Sequence, residues 1–90
     1  MKRFEYGYFE GERALYNTHG AELVDCTFAN GESPLKESGD LELSGCIFKW
    51  KYPLWYSNNI KARGTTLLDT ARSGIWYTHN IEMTDCMIEA

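Results

Sequence analysis

Four groups of residues in this sequence could do chemistry. Trp55-Tyr56 recurs as Trp76-Tyr77. An aromatic strip of that kind can stack on sugar rings, so Trp55, Trp76, Tyr56 and Tyr77 are candidate ligand-binding residues. Glu12 and Glu32 begin a regularly spaced series that Lys51 and Arg72 continue. If that spacing is one turn of a coil, the two carboxyls lie about 4.8 Å apart. That resembles the carboxyl spacing of a retaining glycosidase. Glu12, Glu32 and Arg72 therefore join the candidate set. Cys26, Cys46 and Cys86 follow the same spacing, with no CxxC pair. Neither His19 nor His79 stands at a metal-ligand spacing from them, so no metal and no cofactor are expected. No Gly-rich phosphate loop, nucleophile elbow or Ser-His-Asp set is visible.

The spacing common to these groups is a property of the whole chain. Ala14–Phe28 (ALYNTHGAELVDCTF), Pro34–Phe48 (PLKESGDLELSGCIF), Pro53–Leu67 (PLWYSNNIKARGTTL) and Gly74–Ile88 (GIWYTHNIEMTDCMI) align without a gap. A period of about 20 residues marks a stack of small units, each burying its apolar side against the next. Four columns are apolar: Leu15/Leu35/Leu54/Ile75, Ala21/Leu41/Ile60/Ile81, Leu23/Leu43/Ala62/Met83 and Phe28/Phe48/Leu67/Ile88. A charged column, Glu22/Glu42/Lys61/Glu82, separates the second from the third. That is the in–out–in alternation of a strand. Asp25/Gly45/Gly64/Asp85 form one corner. His19-Gly20, Gly39-Asp40, Asn58-Asn59 and His79-Asn80 form another. Both are built of residues that accept a left-handed backbone. The length variation falls in one loop of four to six residues after Phe28, Phe48 and Leu67.

These features predict an all-β, right-handed, single-stranded parallel β-helix. It has about four rungs of roughly 19–21 residues and three short strands per rung. Residues 1–90 form a single domain, with 1–11 as an N-terminal cap and rungs starting near 14, 34, 53 and 74. Leucine-rich repeats share the period but not the pattern, and the apolar residue every fifth position of a pentapeptide coil is not held.

Read by columns, most candidate sites have a plainer explanation. The cysteines share one column, completed by Thr65, as small inward side chains. Cys26 and Cys46 are near enough for a disulfide on backbone distance, but parallel Cβ vectors disfavour it. The Glu12/Glu32/Lys51/Arg72 series also reads as a charge ladder. The histidines read as corner residues that bind backbone groups.

Composition narrows the partners. The net charge is −4 and the nine Lys and Arg are scattered, which argues against nucleic acid. No run of eighteen apolar residues suggests a membrane span, and MKRFEYGYFE lacks the apolar stretch of a signal peptide. A cytoplasmic protein is expected.

The phrases Phe9-Glu10-Gly11-Glu12-Arg13-Ala14-Leu15-Tyr16, Gly31-Glu32-Ser33-Pro34-Leu35-Lys36-Glu37, Tyr52-Pro53-Leu54-Trp55 and Thr70-Ala71-Arg72-Ser73-Gly74-Ile75-Trp76-Tyr77 carry a resemblance. With the repeated strand phrase they cover nearly the whole chain. It resembles the bacterial "domain of unknown function 3737" family of parallel β-helices, as its N-terminal part or a truncated member. The resemblance implies the fold and no chemistry.

Stacks expose apolar surface and unpaired strands at their ends. Phe4, Tyr6, Tyr8 and Phe9 can cover the first rung, with Tyr8 expected in the Phe28 column. Ile81, Met83, Cys86, Met87 and Ile88 have no such cover. The functional expectation is a non-catalytic scaffold or interaction module, a homo-oligomer joined end to end through this last rung. The alternative is a carbohydrate-binding or carbohydrate-processing protein using the aromatic strip.

Overall fold

The computed structural model describes residues 2–12, 14–68, 71 and 78–89. Within each repeat a long strand leads through a tight corner into a two-residue strand. The long strands are β1 (Lys2–Glu5, shortened), β3 (His19–Val24), β5 (Gly39–Ser44), β7 (Asn58–Arg63) and β9 (His79–Thr84). The short ones are β2 (Tyr8–Phe9), β4 (Thr27–Phe28), β6 (Ile47–Phe48), β8 (Thr66–Leu67) and β10 (Met87–Ile88). Each set forms one five-stranded parallel sheet, ordered β1-β3-β5-β7-β9 and β2-β4-β6-β8-β10. Every strand thus pairs with its counterpart one turn on, and the chain is a parallel β-helix.

The register reproduces the sequence columns. Ala21 pairs with Leu41, Leu41 with Ile60 and Ile60 with Ile81. Phe28 pairs with Phe48, Phe48 with Leu67 and Leu67 with Ile88. The inward columns make a single core of Ala21, Leu23, Leu41, Leu43, Ile60 and Ala62 from the long strands, with Phe28, Phe48 and Leu67 from the short ones. Phe9, Phe28 and Phe48 stack in a file, with ring centroids 5.1 and 4.8 Å apart. Both corners use positive φ, at Asp25, Gly45, Gly64 and Asp85 and again at Gly20, Asp40, Asn59 and Asn80. The second corner lies inside the long strand, which therefore bends just after its first residue.

The third side differs from the expected strand. Residues 34–37 and 53–56 are turns. Lys36 N–H donates to Ser33 C=O at 3.2 Å and Ser57 N–H to Leu54 C=O at 3.1 Å. Positive φ at Ser33 and Glu37, and at Tyr52 and Tyr56, prevents an extended backbone there. The turns still bond from rung to rung: Leu15 N–H to Pro34 C=O at 2.8 Å, and Glu37 N–H to Trp55 C=O at 2.9 Å. The first three rungs, with turns at 14–17, 34–37 and 53–56, therefore have two strands and a stacked turn in place of three strands. A column of hydroxyls supports these turns from the inside. Ser57 Oγ donates to Leu35 C=O at 2.8 Å, and Thr78 Oγ1 to Leu54 C=O at 2.6 Å. The repeat places Thr18, Ser38, Ser57 and Thr78 in one column, but their spacing does not say what they bond.

A second difference lies at the start. Residues 2–9 continue both sheets by one strand, and Phe9, not Tyr8, pairs with Phe28. Tyr8 pairs with the outward Thr27 and is exposed. The step from Phe9 to Phe28 is one residue shorter than the step from Phe28 to Phe48, so a constant step misplaces the column by one. In a strand such a slip exchanges the inner and outer faces.

Candidate functional site

The turn side holds the aromatic candidates. Trp55 is half-buried, with Tyr52 stacked at 4.9 Å and Tyr56 at 5.2 Å between centroids. Lys36, in the same column one rung earlier, holds its Nζ 4.9 Å from the Trp55 ring centroid. That is cation–π distance, so the indole is engaged within the protein. Tyr16 and Tyr56 remain exposed, and the Tyr16 hydroxyl donates to a Glu37 carboxylate oxygen. Glu12 is exposed and Glu32 likewise. Gly11 N–H donates to Asn30 C=O at 2.6 Å, which brings their two loops together. Trp76, Tyr77 and Arg72 lie outside the described residues.

The outward face of the long-strand sheet carries two ladders. One is the charged column, which Arg3 begins: Arg3 pairs in register with Glu22, Glu22 with Glu42, Glu42 with Lys61 and Lys61 with Glu82. The Arg3 guanidinium bonds both Glu5 and Glu22. The Glu5 bond and then the Glu22 charge raise its pKa above the ordinary value. The other ladder is of two amides that end on the Asp40 carboxylate. Asn80 Nδ2 donates to Asn59 Oδ1 at 3.0 Å, and Asn59 Nδ2 to Asp40 Oδ1 at 3.1 Å. Between the ladders runs an open groove of about 740 Å³ along Asp40, Glu42, Asn59, Lys61 and Asn80. The amide ladder does not stand out in the sequence, although its three residues share a repeat position.

The cysteines are free and point inward. Each thiol donates to a carbonyl of the preceding rung: Cys26 to Phe4 at 3.4 Å, Cys46 to Leu23 at 3.3 Å and Cys86 to Ala62 at 3.5 Å. Burial pushes the Cys46 thiol up to about 11, so it is protonated and unreactive near neutrality. His19 bonds the Asn17 side chain at 2.9 Å, where a backbone partner was expected. No group of three or more metal-ligating side chains forms among the described residues.

The last rung is where the columns change character. Ile60 is 0 % and Leu67 2 % exposed, whereas Ile81 is partly exposed and Ile88 56 % exposed. Met83 and Cys86 are also partly exposed, and Met87, on an outward column, is exposed. Among the described residues, β9 and β10 each pair on one side only. Apolar side chains and unpaired strand backbone thus share one face, with a register already set by β7 and β8.

The chain matches the family described as "Protein of unknown function (DUF3737)" over residues 2–90, and belongs to that family. A comparison with curated proteins finds no match.

Proposed function

We propose that this protein is a non-catalytic β-helix interaction module that self-associates through its last rung, β9 and β10. The observation that carries the reading is the loss of burial within single columns, from Leu67 to Ile88 and from Ile60 to Ile81. Fully burying an aliphatic side chain contributes about 1.5–3 kcal/mol. Several half-exposed ones therefore supply only about half of that each. Association costs roughly 4–15 kcal/mol. Apolar contact alone meets only the low end of that cost, and pairing with the strand edges, at about 1 kcal/mol per hydrogen bond, supplies the rest. Strand addition in the existing register meets both needs. The proposed setting is the bacterial cytoplasm, where the three free thiols stay reduced.

Light scattering across a concentration series tests this. The expected result is a mass that rises above 10.4 kDa with concentration, and that Ile88→Glu returns to the monomer while circular dichroism is unchanged. A 10.4 kDa particle at every concentration refutes it.

The exposure of Tyr16, Trp50 and Tyr56 supports a second reading, a carbohydrate-binding surface on the turn side. Tryptophan fluorescence titrated with a glycan panel decides it, since sugar stacking changes indole emission and a flat response rejects the surface.

A further inference from the structure

Resting on the self-association reading, the register identifies what the last rung takes. We propose that the last rung of one copy binds the first rung of a second copy, head to tail, so that both sheets run on without a change of register.

β1 and β2 are the opposite edges of the same two sheets that end in β9 and β10. Lys2–Glu5 stand opposite Ala21–Val24, and the register then steps through Leu41 and Ile60 to Ile81. One more step of the same register sets Arg3 of the second copy opposite Glu82. It sets Phe4 opposite Met83, and Phe9 opposite Ile88. The side chains match in kind at all three positions. Phe4 and Phe9 pack against the core on one side only, as Met83 does from the other end. Phe9 already stacks on Phe28 at 5.1 Å, and its outer side would cover Ile88.

The charges choose this arrangement over a two-fold one. Arg3 binds a carboxylate of the same column, Glu22, one strand away. In the head-to-tail contact it lies between Glu22 of its own copy and Glu82 of the neighbour, as Lys61 lies between Glu42 and Glu82. Pairing β9 with another β9 offers Glu82 no counter-charge, because the strand HNIEMT carries no Lys or Arg. Lys2 is the one mismatch, since it falls opposite the apolar Ile81. Its stem can cover the isoleucine only while the ammonium reaches the rim. A lysine on a strand edge also guards against indiscriminate pairing, which keeps this contact reversible. A head-to-tail contact that carries the coil axis straight on does not close into a ring, so the products are linear chains.

A charge exchange tests the proposal by light scattering on the full chain. Arg3→Glu sets like charges across the contact, and so does Glu82→Arg. Each variant alone is expected to associate at least tenfold more weakly than the parent. An equimolar mixture of the two, in which opposite charges meet again, is expected to recover the association. Should Arg3→Glu lose its circular dichroism spectrum, Arg3→Gln replaces it, with the same loss expected. If the parent associates and the Arg3 variant associates equally well, the head-to-tail contact is overturned while self-association stands. If the mixture fails to recover what both variants lost, the contact is likewise overturned. If the parent is monomeric throughout, the underlying reading itself fails.

Discussion

Phe48→Ala measures how far the aromatic file holds the coil together. Phe48 is 0 % exposed and lies flat against Phe28, with centroids 4.8 Å apart and ring planes 7° apart. Its pairing neighbour on the other side is Leu67. Removing the ring forfeits about 2–3 kcal/mol of apolar burial. The void adds more: roughly 80 Å³ at about 24 cal/mol per Å³ is about 2 kcal/mol, so the total is about 4–5 kcal/mol. A chain of this length is stable by about 5–13 kcal/mol, so the variant should remain folded with much of its margin gone. Urea denaturation followed by far-ultraviolet circular dichroism reads this directly. With a slope of about 2 kcal/mol per molar, the midpoint should fall by about 2 M. Protein concentration must be low and constant, because association would add stability by mass action. Phe9→Ala is the internal comparison. It removes the same ring from the same file, but from a partly buried position, and should cost about half as much. Equal losses, or a Phe48 midpoint shift below about 0.5 M, would refute the reasoning. Stability would then reside in the hydrogen-bonded ladders rather than the apolar columns.

Two further substitutions probe the loops and the thiols. A Cβ on Gly31, whose φ is +148°, would lie 2.1 Å from the Gly11 carbonyl oxygen, whereas one on Gly11 meets nothing within 4 Å. Gly31→Ala should therefore cost about 3 kcal/mol or more in a thermal melt, and Gly11→Ala only about 1 kcal/mol for its backbone strain. Equal costs would show that the two loops are not interlocked. The Cys46 thiol ionises near 11 in the fold, against an ordinary value of 9.0 when unfolded. Below pH 9 both states hold the proton and its contribution is complete. As pH rises from 9 to 11 the unfolded chain loses its proton first, and stability falls by at most about 3 kcal/mol. Urea midpoints across that range should fall more steeply for the parent than for Cys46→Ala, and identical slopes would exclude the thiol as the cause.

The long-strand sheet and its corners were legible in the sequence because their signals are local. Alternation along Ala21-Glu22-Leu23 sets which side chains turn inward. Gly45 and Gly64 mark a bend because they tolerate positive φ. The repeat by itself then sets Ala21 beside Leu41, and Phe28 beside Phe48. What it could not supply lies between rungs or depends on a single residue of phase. Pro34-Leu35-Lys36-Glu37 folds as a turn because Ser33 and Glu37 take left-handed conformations, and the bonds that hold it there come from Pro53 and Trp55 of the next rung. Phe9 displaces Tyr8 from the core because the first step is one residue shorter than the second, and only the pairing of β2 with β4 reveals it. The candidate site divides in the same way. Ile81, Met83, Cys86 and Ile88 were readable as inward columns, but their exposure depends on what covers them. The Arg3–Glu22 contact joins two strands one turn apart, and a pattern read along the chain does not report bonds made across it.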